Sequence, residues 1–131
     1  AYAGYNTQVA LKNVVIGYKS LQQAISSDRN VAIGMESFNS HGKANGQADG
    51  STFDSIGGNV GLGYRTGYNN VRGTQNTFIG YSSGYNIDGD YNVALGANAL
   101  RNGDSAVFTD NTADNNIAVG NIVWAIELLV M

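Results

Sequence analysis

The chain has 131 residues, room for one domain, with 18 Gly, 8 Tyr, no Pro and no Cys. Without cysteine there is no disulfide, so stability outside a cell would have to come from stacking or assembly, and the cysteine count leaves the compartment open. The formal charge is -3 and the seven basic residues are scattered, which excludes the basic patch of a nucleic-acid-binding surface.

Read in order, the chain opens on Ala3-Gly4-Tyr5, which has the form of the tail of an earlier repeat whose Asn is missing. With no start Met and no signal-peptide pattern, the sequence reads as a fragment of something longer. One five-residue phrase then comes round six times. The copies are Asn13-Val14-Val15-Ile16-Gly17, Asn30-Val31-Ala32-Ile33-Gly34, Asn59-Val60-Gly61-Leu62-Gly63, Asn76-Thr77-Phe78-Ile79-Gly80, Asn92-Val93-Ala94-Leu95-Gly96 and Asn116-Ile117-Ala118-Val119-Gly120. The steps from Asn to Asn are 17, 29, 17, 16 and 24 residues. A unit near 16 residues with two long insertions is the signature of a repeat protein.

Each column of the repeat has a physical demand. The residue after Asn is β-branched in all six copies, and the residue two further on is a branched aliphatic. Positions i and i+2 of a strand share a face. The column between them (Val15, Ala32, Gly61, Phe78, Ala94, Ala118) is mostly small and points the other way. It is expected to let another surface, such as a second chain, approach closely, so both faces of the strand read as covered. Gly recurs at the end of all six copies, which calls for positive φ or close backbone approach. A second short segment follows it, as in Tyr18-Lys19-Ser20-Leu21 or Tyr81-Ser82-Ser83-Gly84. A strand of about five residues, a Gly corner and a shorter second strand predict one coil of a parallel β-solenoid, stacked at about 4.8 Å. No window carries a helical stripe with caps. The fold class is therefore all-β, a β-roll of about six to seven short coils over residues 1–121.

The coils are interrupted twice. Residues 39–58 and 101–115 are rich in Gly, Ser, Asn and Asp and read as surface loops. The connectors 68–75 and 85–91 read as polar turns. Residues 122–131 are nearly all apolar. At ten residues they are about half a spanning helix, and without strict alternation they make a poor lipid-facing strand. No membrane insertion is expected, and this segment is expected to pack at the end of an oligomer.

The phrase Asn-Thr-Phe-Ile-Gly-Tyr at residues 76–81, followed by Gly84-Tyr85-Asn86, resembles the repeat of phage tail fibres. Asn59-Val60-Gly61-Leu62-Gly63-Tyr64 with Gly67-Tyr68-Asn69 has the same form. The repeat is also similar to the head repeats of trimeric autotransporter adhesins, which are left-handed β-rolls in intertwined trimers. The wider spacing and the insertions favour the phage group. The resemblance implies an intertwined homotrimer on a virion tail fibre that attaches to a host-surface receptor, either a glycan or an outer-membrane protein. It also implies a transient C-terminal chaperone domain, since in the phage group a closing copy like residues 114–121 commonly precedes one. The alternatives are a bacterial adhesin head on a cell surface and a purely structural fibre spacer.

Two sets of residues are candidates for receptor contact. The insertions carry His41, Lys43, Asp49, Phe53, Asp54, Asp104, Phe108 and Asp110, because loops on a rigid scaffold carry recognition without disturbing the core. The tyrosines Tyr64, Tyr68, Tyr81 and Tyr85 offer ring faces for sugars. The competing reading of those rings is a structural ladder between coils. No metal or cofactor is expected: Asp88-Gly89-Asp90 and Asp110 with Asp114 are explained by turns. A catalytic reading lacks a Cys nucleophile, a phosphate loop or metal-ligand spacing, and the single His41 sits in a Gly-rich loop. The chain is read as no enzyme.

Overall fold

The structure is a computed structural model that describes residues 2–5, 11–24, 27–40, 57–102 and 114–121. The described residues are all-β. Six three-residue strands, β1 (Val14–Ile16), β2 (Val31–Ile33), β3 (Val60–Leu62), β4 (Thr77–Ile79), β5 (Val93–Leu95) and β6 (Ile117–Val119), form one sheet in sequence order. Every pair is parallel, with the repeat columns directly opposite one another: Val14 faces Val31, Val15 faces Ala32, Ile16 faces Ile33, and so on to Val119. The register is unbroken across both long insertions. No helix among the described residues is long and apolar enough to cross a membrane.

The Gly corner explains why the repeat keeps its last letter. Gly17, Gly34, Gly63, Gly80, Gly96 and Gly120 have φ between 123° and 136°. A Cβ on Gly80 would stand 2.6 Å from the Gly96 carbonyl oxygen, and the other corners up to Gly96 are equally closed by the next Gly. The space and the dihedral both require glycine.

The segment after the corner differs from the expected second strand. It is a turn in which the second residue after Gly has positive φ in five coils (Lys19, Glu36, Arg65, Ser82, Asn98), as does the fourth (Leu21, Phe38, Gly67, Gly84, Leu100). Alternating left-handed residues turn successive N–H groups to opposite sides. Glu36 N–H donates back to the Tyr18 carbonyl, and Phe38 N–H donates forward to the Thr66 carbonyl. The same alternation recurs at Arg65 and Gly67, and at Ser82 and Gly84. Backbone groups are satisfied between coils without extended strand geometry. At the start of the chain, Gly4 N–H donates to Ser20 as Gly67 does to Ser83, so Gly4 occupies the place expected for the tail of a repeat.

The sense of the two strand faces is the reverse of the sequence expectation. The small middle column does not face outward towards another surface; Ala32, Phe78 and Ala94 are fully buried inside the chain's own coil, with Val15 packed beside them. The β-branched and aliphatic columns point outward, and Val14, Ile16, Ile79, Ile117 and Val119 are exposed. The physical reason is room. A coil of about 16 residues encloses a narrow interior, so most coils have room only for a small side chain there, and Phe78 fits because Gly84 stands against its ring.

The core is filled by exchange of volume between coils. Leu21, Phe38 and Leu100 enter from the fourth position after Gly, where two other coils have Gly67 and Gly84. Phe38 and Phe78 occupy that space, with ring centroids 6.0 Å apart. A Cβ on Gly61 would meet the Phe38 ring, and one on Gly84 would meet the Phe78 ring at 2.6 Å. The connectors are less polar than read. Val71 and Ile87 are buried and help close the core.

Beside the core runs an asparagine ladder. Asn30, Asn59, Asn76 and Asn92 are fully buried. The Oδ1 of each accepts both the backbone N–H and the Nδ2 of the Asn in the next coil, at 2.8–3.1 Å, from Asn30 through Asn116. Asn59 and Asn76 spend their second Nδ2 proton on the Gly73 and Gly89 carbonyls. Only an amide both accepts and donates in this way.

Candidate functional site

Of the predicted contact residues, His41, Lys43, Asp49, Phe53, Asp54, Asp104, Phe108 and Asp110 lie outside the described residues, as does the apolar segment 122–131. The roots of the two insertions are described. The described residues before the insertions end at Ser40 and at Asn102, both six residues past a Gly corner. They resume at Gly57 and at Asp114, each two residues before the repeat Asn. The Gly58 and Asn115 N–H groups there donate to the preceding connector, to Asp28 and Asp90. The insertions therefore start and finish on the same edge of the solenoid.

The four predicted tyrosines come together beside that edge in two short ladders. Tyr64 and Tyr81 follow Gly corners and stack at 5.2 Å with 23° between planes. Tyr68 and Tyr85 stack at 5.2 Å and 6°, nearly parallel. Residues at equal places in parallel coils lie about 4.8 Å apart, which is the spacing of stacked rings. Most ring faces are thereby occupied by protein. The Arg65 guanidinium lies over Tyr64 at 5.0 Å and over Tyr68 at 5.3 Å, and Arg101 lies over Tyr85 at 5.3 Å. Tyr81 differs: it is 55% exposed, and its column continues not with a ring but with Ala97.

The charged partners were not singled out by sequence reasoning. Arg65 Nε donates to Glu36 Oε2 at 2.6 Å across one coil step. That bond, above all, raises the Arg65 pKa further, against the opposing effect of burial. Burial pushes the Tyr68 phenol up, helped by the Glu36 carboxylate and the neighbouring Tyr85, while Arg65 acts in the other direction. Arg101 is steered by Asn98, whose Oδ1 accepts from Arg101 Nη1 at 3.1 Å. The sequence signal for these residues was the spacing itself, since Glu36, Arg65 and Asn98 share one repeat column.

The aspartates considered for metal are tied to backbone. Asp88 Oδ1 accepts from the Val71 and Arg72 N–H groups, and its Oδ2 accepts from Arg72 Nε at 3.0 Å. Asp90 Oδ1 accepts from the Thr74 N–H, and Asp114 Oδ1 from the Asp90 N–H. They hold each connector on the one before it, a contact between coils rather than the local turn bond expected for them. Among the described residues, no three His, Cys, Asp or Glu side chains converge as a metal site would require.

What the arrangement offers chemically is a rigid strip of phenol rings, guanidinium groups and amides, set at coil spacing beside the roots of two insertions. No family model, characterised protein or solved structure matches the chain.

Proposed function

We propose that this chain is a non-enzymatic host-recognition module of a phage tail fibre, acting as a homotrimer of β-solenoids of six to seven coils that binds a bacterial surface glycan or outer-membrane protein. The observation that carries the reading is the outward face of the sheet. Two parallel rows, apolar but for Thr77, run its whole length: Val14-Val31-Val60-Thr77-Val93-Ile117 and Ile16-Ile33-Leu62-Ile79-Leu95-Val119. Five steps of about 4.8 Å give a stripe about 24 Å long and on the order of 300 Å². A stripe of that size on a small chain is suited to a partner. Three copies turned inward about one axis cover three stripes at once, and a threefold ring closes without leaving an open end. Weak sites repeated on three chains then gain avidity against one cell surface.

Light scattering on the purified chain tests the assembly: a species near three times 13.8 kDa is expected. A pair of charges in the outer rows, Ile33→Asp with Ile79→Asp, should reduce it to single chains. A well-folded monomer of the unaltered chain would overturn the trimer. Replacing residues 41–56 or 103–113 with a short turn like the connector 69–75 tests recognition. Assembly should survive and adsorption to a panel of bacterial strains should fall. Undiminished adsorption would leave the chain a structural spacer.

A further inference from the structure

The side chains of the outer sheet face are matched in size coil by coil, and we propose that this face binds further copies of the chain in level register, equal coil against equal coil, with Tyr91 of each copy seated on Ala97 of the next. The inference rests on the assembly reading above and names its register. In β1 to β5 the first outer row holds Val, or Thr of the same size, and the second holds Ile or Leu. In β6 the order reverses, with Ile117 first and Val119 second. Every coil thus presents one Val-sized and one larger side chain. Parallel copies turned about an axis along the solenoid set the first row of one against the second row of the next, and a rotation adds no shift along that axis. Equal coils then meet, and the seam has the same thickness at every level. A shift of one coil would set Ile117 against Leu95, or Val93 against Val119, which crowds the seam or leaves a gap in it.

The columns that flank this face carry the same matching. On one side runs the residue before each repeat Asn: Lys12, Arg29, Gly58, Gln75, Tyr91 and Asn115, all exposed. On the other runs the residue after each Gly corner. Gly58 is not required by its own chain. The other five members of its column hold φ of 55° to 62° with side chains, and a Cβ on Gly58 would meet Gln75 Cγ at an ordinary 3.4 Å. The coil with Gly58 at one corner has Tyr64 at the other. Tyr91 is the one ring of its column and is 52% exposed. Its coil has Ala97 at the opposite corner, where a ring would have continued the Tyr64–Tyr81 stack. Large stands across from small, yet the strand between the corners holds them about 15–20 Å apart within one chain. A neighbouring copy in level register brings them together, Tyr91 onto Ala97 and Tyr64 beside the room left at Gly58. With the flanking columns the face is about 15–20 Å by 24 Å, so a closing ring of three covers on the order of 1,200 Å², the size of a specific interface.

The chain has no cysteine, so a pair of introduced cysteines reports contact between copies. The whole chain carrying Tyr91→Cys and Ala97→Cys, oxidised at micromolar concentration, should give a covalent species of three chains on a denaturing gel. Within one chain the two positions are too far apart, since a disulfide needs Cα atoms within about 7 Å. Gly58→Cys with Ala97→Cys, two coils out of level, should stay as single chains. A size exchange is the second test, read by light scattering on dilution. Tyr91→Ala and Ala97→Tyr should each weaken the assembly by about tenfold, and the two together should recover to within about threefold of the parent. The register is overturned if the pair two coils out of level cross-links as well as the level pair, or if the two size changes simply add. Light scattering on the unaltered chain separates this inference from the reading it rests on. A three-chain species whose level pair does not cross-link keeps the trimer and removes the register. Single chains remove both. Level cross-linking into a two-chain species keeps the register and removes the threefold count.

Discussion

Replacing Asn76 by alanine isolates the role of the ladder. The Asn76 side chain makes four hydrogen bonds: Oδ1 accepts from the Asn92 N–H and Nδ2 at 2.8 and 3.0 Å, and Nδ2 donates to Asn59 Oδ1 and the Gly89 carbonyl at 3.1 and 2.8 Å. The Asn59 acceptor keeps a partner after the substitution, because the Asn76 backbone N–H still reaches it at 2.9 Å. The Asn92 N–H, the Asn92 Nδ2 and the Gly89 carbonyl do not. Each buried polar group left without a partner costs roughly 1–3 kcal/mol, so the variant should lose about 3–5 kcal/mol once the small void is included. Total stability for a domain is about 5–15 kcal/mol, which makes this a large fraction. For a chain of this size, about 3–5 °C of melting temperature goes with each kcal/mol, giving a fall of about 10–20 °C. Asn116→Ala is the control. Asn116 is partly exposed and its Nδ2 partners are Asn92 Oδ1 and the Asp114 carbonyl. Water can replace those bonds, and the loss should be about 1 kcal/mol. Thermal unfolding by far-ultraviolet circular dichroism, at fixed protein concentration, reads both. Equal small shifts for the two variants would refute the reasoning, because the Asn would then matter only as a residue that starts a strand.

Three further outcomes are expected. Phe78→Ala should cost about 3–5 kcal/mol and Gly84→Leu should also be destabilising, while the double variant, which copies the Ala94 and Leu100 pair of the next coil, should recover much of the loss in a double-mutant cycle by denaturant unfolding; additive losses would refute the exchange of volume. Gly80→Ala should cost on the order of 3 kcal/mol or more, since it combines a φ of 124° with a Cβ 2.6 Å from the Gly96 carbonyl oxygen, and a shift in the denaturant midpoint equal to that of a surface Gly→Ala would refute the close approach. Tyr68 should ionise above the usual value of about 10, because its folded pKa is raised. The stability it contributes is complete below the unfolded value and is lost as pH climbs through the folded one, so Tyr68→Phe should flatten the alkaline limb of the melting curve, and an unchanged limb would refute the assignment.

Much of the solenoid was legible because a repeat states its constraints several times over. Six copies of Asn, a β-branched residue, a small residue, an aliphatic and Gly located all six strands, and the Gly corner was needed where it was read. Other features were visible in the columns but underdetermined. Identical Asn residues at every coil point to a ladder only once parallel stacking at one register is granted. Tyr64, Tyr68, Tyr81 and Tyr85 allowed both a sugar platform and a structural stack. The observed rings are mutually stacked, which leaves one open face, at Tyr81. The aspartates 88, 90 and 114 read as local turn residues, yet their carboxylates accept from the connector of the preceding coil, 16 to 24 residues away, a use that only the stacking of coils reveals.

By itself, then, the sequence determined the period, the strand positions, the corners and the presence of two opposite faces, all of which depend on contacts between residues at equal places in successive repeats. Only the tertiary structure decided which face is inside. Period two separates Val14 and Ile16 from Val15, yet hydrophobicity is high in both sets; the narrow bore of the coil puts the small column inward and leaves the branched rows outward. The same holds for the core. Gly61 and Gly67 look like gaps in their own repeat, and become necessary only when Phe38 reaches in from the coil before and Phe78 from the coil after; Gly84 makes room for Phe78 of its own coil. A single repeat cannot show what fills Gly61 and Gly67, because the volume it lacks is supplied by the coils on either side.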